Sequence, residues 1–134
     1  SDEAAAALTD KIFSALGKAW RVSEDLLDAV TAISGSGPAY MFEFVEALRL
    51  AGCKLGLPEE LALDLAVQTM AGAAEMLQQK IASPEELRIA VTSPGGTTAA
   101  ALDVLNRADF RGLVENLTRA ACERSAELGN PRGN

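Results

Sequence analysis

The sequence predicts an all-α chain, and three observations carry that reading. Apolar residues recur at three- and four-residue intervals along most of its length. No stretch alternates strictly between apolar and polar side chains, and β-branched residues are scattered rather than clustered. The punctuation is also helical, with Gly, Pro, Ser and Asp falling where helices start and stop.

From Asp2 to Leu16 the residues Ala5, Leu8, Ile12, Phe13 and Leu16 recur at helical spacing, and Gly17 offers a left-handed stop. Ser23 followed by Glu24 and Asp25 suits the capped start of a short helix ending near Val30. Ser34-Gly35-Ser36-Gly37-Pro38 then breaks the periodicity, and Pro38 fits the first position of a long helix to Leu55, closed by Gly56. Along it Glu43, Glu46 and Arg49 form one narrow stripe, which leaves almost the whole circumference apolar. A second such helix opens at Pro58-Glu59-Glu60 and runs to Lys80, with Glu60, Asp64, Gln68, Glu75 and Gln79 mainly on another thin stripe. Ser83-Pro84-Glu85-Glu86 is a capping box whose helix ends near Ala90. After the turn from Thr92 to Thr98 a helix continues through Leu102 and Leu105 to Arg107. Asp109 caps a final helix from Phe110 to Leu128, with Gly129 as its stop and a disordered tail expected from Asn130 to Asn134.

At 134 residues the chain has the size of one domain. Hydrophobic residues make up 49% of it and aromatics only 4%, so its core must be built from Ala, Leu, Val and Met. Two nearly all-apolar helices of about five to six turns are hard to cover within a monomer of this size, and burial against a second copy is the physical inference. The net charge of -7, with 19 acidic against 12 basic residues and no run of Lys or Arg, excludes a phosphate-tracking surface. Cys53 and Cys122 lie in apolar helical stretches of a chain without His, so neither a metal-ligand set nor a Cys–His nucleophile can be assembled. That usage suits a reducing cytoplasm. Charges interrupt every apolar run before the roughly 20 residues that span a bilayer, so no membrane segment is expected. Ser1-Asp2-Glu3, without a leading Met, reads as a boundary or a processed start.

Two glycine-rich breaks, Ser34 to Pro38 and Ser93 to Thr98, each lead into a helix whose first amides lack intrahelical partners. In the second, Gly95 and Gly96 let a ligand approach the main chain, while Ser93, Thr97 and Thr98 add hydroxyls able to hold a carboxylate. The same residues also serve ordinary helix-to-helix turns, and by composition alone that use is the commoner one. Neither break follows a strand, so neither is a dinucleotide fingerprint. Glu59-Glu60 and Glu85-Glu86 sit in first helical turns, where they favour the helix dipole; Met70, Met76, Tyr40 and Trp20 read as packing residues. Without a nucleophile–base pair, the chain suits chemistry in which a cofactor supplies the reactive atom and the protein supplies orientation.

The stretch Ala29-Val30-Thr31-Ala32-Ile33-Ser34-Gly35-Ser36-Gly37-Pro38-Ala39-Tyr40, then Gly56-Leu57-Pro58, Val91 to Thr98, Phe110-Arg111 and Glu123-Arg124-Ser125 form one ordered set. In order and spacing they resemble the C-terminal half of the pyrroline-5-carboxylate reductase family, over essentially all of the chain from Ala5 to Gly129. The resemblance implies an interleaved helical bundle of the 6-phosphogluconate-dehydrogenase C-terminal-like kind, spanning residues 1–134 as a dimerisation and substrate-binding domain. It implies reduction of 1-pyrroline-5-carboxylate to L-proline with NADPH or NADH, the last step of proline biosynthesis. It also implies a cytoplasmic homodimer that can build decamers, and an N-terminal Rossmann cofactor domain that is absent from this chain. Carried over by residue, Ser93, Gly95, Gly96, Thr97 and Thr98 resemble the loop that holds the substrate carboxylate, with Thr98 catalytic beside the ring nitrogen. Ser34 and Gly35 resemble the segment facing the nicotinamide.

One departure is Ile89 after Arg88, where the family usually carries an acidic residue. Two alternatives stand beside this reading. A hydroxyacid dehydrogenase relative would need a catalytic Lys, but Lys54 and Lys80 fall near helix ends without a supporting motif. A freestanding helical oligomerisation module would keep the fold and lack catalytic activity.

Overall fold

The computed structural model describes residues 2–16 and 21–130, and among them every regular element is helical. Gly17, Trp20 and the tail from Pro131 lie outside the described residues. Seven α-helices follow in order: α1 (Asp2–Leu16), α2 (Leu27–Val30), α3 (Gly37–Lys54), α4 (Glu59–Gln78), α5 (Pro84–Ala90), α6 (Thr97–Arg107) and α7 (Phe110–Gly129). Helix α1 is rich in alanine, the strongest helix former, and carries Asp2 and Glu3 in its first turn.

The segment from Glu24 to Lys54 departs from expectation. A 3₁₀ turn (Glu24–Leu26) runs into α2 without a cap bond from the Ser23 hydroxyl, and Ser34 and Gly35, expected to begin a break in the helical pattern, end a π turn (Thr31–Gly35). There the Ser36 amide donates to Thr31 O at 2.8 Å, five residues back. Pro38 has no amide for Ser34 O, four residues behind it, so the ladder is interrupted there as well. Pro38 accordingly lies just inside α3, which begins at Gly37. The Ser34 hydroxyl donates to Val30 O at 3.0 Å. The Tyr40 hydroxyl donates to Ala32 O at 2.8 Å, and Ala32 is 2% exposed.

Helices α3 and α4 form the main hairpin, turned at Gly56 in the left-handed region (φ 98°). Their closest approach is bare of side chain: a Cβ at Gly52 would come within 3.0 Å of Ala62 Cβ. Arg49 ties the two together, donating to Glu46 on α3 and, at 2.6 Å, to Glu59 on α4. Helix α4 ends two residues before Lys80, which takes a left-handed conformation (φ 55°). A second cluster gathers α2, the π turn and α7, where Ser125 Oγ donates to Asp28 Oδ1 at 2.7 Å across 97 residues of sequence.

These two clusters do not close over their own apolar surface. The buried hydrophobic residues among those described are three alanines, Ala32, Ala62 and Ala66, while Phe42, Val91 and Leu113 are each more than half exposed. The accessible surface is 10883 Å² for a 14.0 kDa chain, against about 6,700 Å² for a folded monomer of that mass. The thin polar stripes of α3 and α4 therefore mark surfaces built for burial beyond one copy.

Candidate functional site

The turn between α5 and α6 is built by short-range chemistry. Thr92 ends α5 by donating its hydroxyl to Arg88 O at 2.5 Å, while its amide bonds Ile89 O at 3.0 Å. Ser93-Pro94-Gly95-Gly96 then forms a four-residue turn closed by Gly96 N to Ser93 O at 3.0 Å. Proline at its second position and Gly95 at φ 70° at its third match the type II turn, in which the third residue must be left-handed. Gly96 is required for a different reason: its backbone is extended, but a Cβ there would collide with the Ser93 hydroxyl and lie 3.2 Å from the Ser93 carbonyl.

Helix α6 starts at Thr97 with Gly96 as its N-cap, so no side chain caps it, and its first turn holds no acid. The first α-helical bond runs from Ala100 N to Gly96 O at 3.2 Å. The amides of Thr97, Thr98 and Ala99 lie ahead of it and point out of the helix end. Thr98 and Gly96 are half-buried, whereas Ser93 and Thr97 are exposed. Three amides and the positive end of the helix dipole thus meet at one helix start whose neighbouring residues Ser93, Thr97 and Thr98 carry hydroxyls, a combination that suits a carboxylate. An open groove of about 330 Å³ between α5 and α6 flanks it, lined by Arg88, Ile89, Thr92, Ala99, Leu102, Asp103 and Asn106.

The structure places Ser93, Gly95 and Gly96 in this turn and Thr97 and Thr98 in the first turn of α6 that follows it. It places Ser34 and Gly35 elsewhere, on the π turn packed against α3 and α7, and no hydrogen bond among the described residues joins the two segments. Tyr40, read as packing, turns out to support the π turn through its hydroxyl. The Asp28–Ser125 pair was invisible in sequence, because nothing local links residues so far apart.

The resolved pKa shifts lie away from this turn. The Arg49 guanidinium, hydrogen-bonded to Glu46, holds that carboxyl below its usual range, and Arg49 is held more firmly protonated in return. Among the described residues no cluster of His, Cys, Asp or Glu could hold a metal, and no helix is long and apolar enough to cross a membrane.

Comparison with known proteins adds an independent line. A sequence family described as pyrroline-5-carboxylate reductase dimerisation matches residues 24–128. The pyrroline-5-carboxylate reductase of Pisum sativum is 46% identical over 121 residues, covering 90% of this chain and 44% of the pea protein. That of Synechocystis is 48% identical over 118 residues, covering 88% of this chain and 44% of its own length. Among solved structures, the Plasmodium falciparum pyrroline carboxylate reductase with NADP bound superposes with a TM-score of 0.78 at 42% identity, covering 81% of this chain and 44% of that one. A pyrroline-5-carboxylate reductase from Coxiella burnetii superposes equally well at 46% identity, covering 81% and 40% respectively. The chain spans less than half the length of each of these proteins.

Proposed function

The chain belongs to the pyrroline-5-carboxylate reductase family, and from that premise we propose that it supplies the dimerisation region and the substrate-carboxylate loop of an enzyme reducing 1-pyrroline-5-carboxylate to L-proline with NADPH or NADH. The enzyme is a cytoplasmic homodimer with further assembly into decamers, and a Rossmann domain N-terminal to this region binds most of the cofactor. The observation that carries the reading is the start of α6, uncapped, free of acids and ringed by Ser93, Thr97 and Thr98. The apolar surface left open by α3, α4, α6 and α7 supports the second copy.

The chain's own contribution is positioning. Amides of Thr97, Thr98 and Ala99 fix the substrate carboxylate, and the extended Gly96 lets it come close to the main chain. The Thr98 hydroxyl, half-buried at the same helix end, takes the ring nitrogen and holds its proton as the imine is reduced. A bound nicotinamide supplies the hydride. Among the described residues there is no glycine-rich strand-to-helix turn for a pyrophosphate, so this chain's share of the cofactor is confined to Ser34 and Gly35 on the π turn.

The test is Thr98→Ala against Ser125→Ala in the complete reductase. The first should lower kcat/KM by about a hundredfold, as loss of a positioned hydrogen-bond partner does, with little change in melting temperature. Ser125→Ala removes a structural bond to Asp28 and should act on stability instead. Equal effects on turnover would sink the loop assignment, and no turnover by the wild-type protein would favour the freestanding module.

A further inference from the structure

We infer that Tyr40 is a positioning residue: its hydroxyl holds the π turn in the one register that sets Ser34 and Gly35 toward the nicotinamide. The inference rests on the reading above for the role of those two residues, but the register itself is argued from the chain's own hydrogen bonds.

In a regular α ladder the Ser36 amide would donate to Ala32 O, four residues back. It donates instead to Thr31 O at 2.8 Å, and the Ala32 carbonyl is taken by the Tyr40 hydroxyl at 2.8 Å. The tyrosine therefore gives the Ala32 carbonyl a donor in the π register, where the Ser36 amide does not. Ala32 is 2% exposed, and a buried carbonyl left without a donor is costly, so loss of the hydroxyl favours the α register, in which Ser36 N would supply one. The turn is also held from outside: it packs on α7, and one turn earlier Asp28 accepts the bond from Ser125. Ser34 adds its own bond to Val30 O.

A slip by one residue rotates every following side chain by about 100° around the helix axis. Ser34 and Gly35 would then face a different direction without any change in the Ser93–Thr98 loop, which belongs to another part of the fold. Tyr40 thus controls orientation on the cofactor side and leaves carboxylate binding alone.

The experiment is Tyr40→Phe in the complete reductase, which keeps the ring and deletes only the donor. Thr69→Val serves as the control, since it deletes a hydroxyl-to-carbonyl bond on α4. Hydrogen exchange over residues 31–37 should accelerate on the order of tenfold in Tyr40→Phe, the equilibrium equivalent of one lost internal bond. The value of kcat should fall on the order of tenfold with KM for 1-pyrroline-5-carboxylate unchanged. The primary isotope effect with 4-deuterated cofactor should rise, because hydride transfer itself is slowed. The control should move none of these. Unchanged exchange in Tyr40→Phe would overturn the register argument. A loss of kcat with the isotope effect unmoved would make Tyr40 merely structural and overturn its role. A wild-type protein unable to reduce 1-pyrroline-5-carboxylate would overturn the functional reading and the role together, while the exchange data would still decide the Tyr40 tie.

Discussion

Helices α5 and α6 are neighbours in sequence and begin on opposite chemical terms. At the start of α5, Ser83 Oγ accepts from Glu86 N at 3.1 Å, Pro84 has no amide to satisfy, and Glu85 and Glu86 offset the dipole. At the start of α6 there is glycine instead of a capping side chain, threonine instead of proline, and no acid. One start is chemically complete, and the other leaves its amides available. A chain that closes helix ends with Ser83 and with Asp109, whose carboxylate accepts from Gly112 N at 3.2 Å, has left α6 open at a cost in helix stability. The difference leaves helix-start amides free where local folding preference has been given up, at the loop proposed to hold the carboxylate.

That contrast can be erased by making α6 begin as α5 does. The combined change Thr97→Pro, Thr98→Glu and Ala99→Glu should keep α6 helical by circular dichroism while lowering kcat/KM of the complete reductase by roughly a hundredfold or more. Full activity in that variant would break the comparison. A smaller effect is expected from Gly95→Ala, which forces a side chain into the left-handed region at φ 70° and should destabilise the chain by about 1–2 kcal/mol in denaturant unfolding. Ser83→Ala should cost about 1 kcal/mol by the same measurement and leave turnover untouched, because the closed start only serves the helix. The weakest effect belongs to the half-buried Glu46–Arg49 pair. Glu46 has a folded pKa below its ordinary 4.5, chiefly through its hydrogen bond from Arg49, so the unfolded state takes up the proton first. Its contribution is therefore present above the ordinary carboxylate range and lost as pH falls through the depressed value. The melting-temperature difference between wild type and Glu46→Gln should accordingly be small at neutral pH and shrink further as pH falls below the ordinary carboxylate range.

Helix boundaries were legible where one residue settles the matter. Gly56, Ser83 and Asp109 each terminate or cap a helix as expected, because a left-handed glycine or a side-chain oxygen acts within four residues. The Ser93–Thr98 turn was legible for the same reason, since Pro94 and Gly95 specify its geometry locally. Ser34 to Pro38 was legible as a break before a helix, but the π turn that overlaps it was not: there Tyr40 reaches back eight residues to Ala32 and the turn packs against α7, contacts that no local pattern announces. The Ser23 cap also failed, as a 3₁₀ turn formed there without a side-chain bond. The excess of apolar helix surface could be read from the thin stripes on α3 and α4, though its size emerged only once 10883 Å² of accessible surface was measured against a chain of this mass.

A chain whose buried hydrophobic residues, among those described, are three alanines carries a further consequence for behaviour in solution. If most of its hydrophobic stabilisation is gained only when copies meet, dilution becomes a denaturant. Melting temperature should then climb with protein concentration, and the fraction folded in a cell should follow how many copies are made as much as how well each is made.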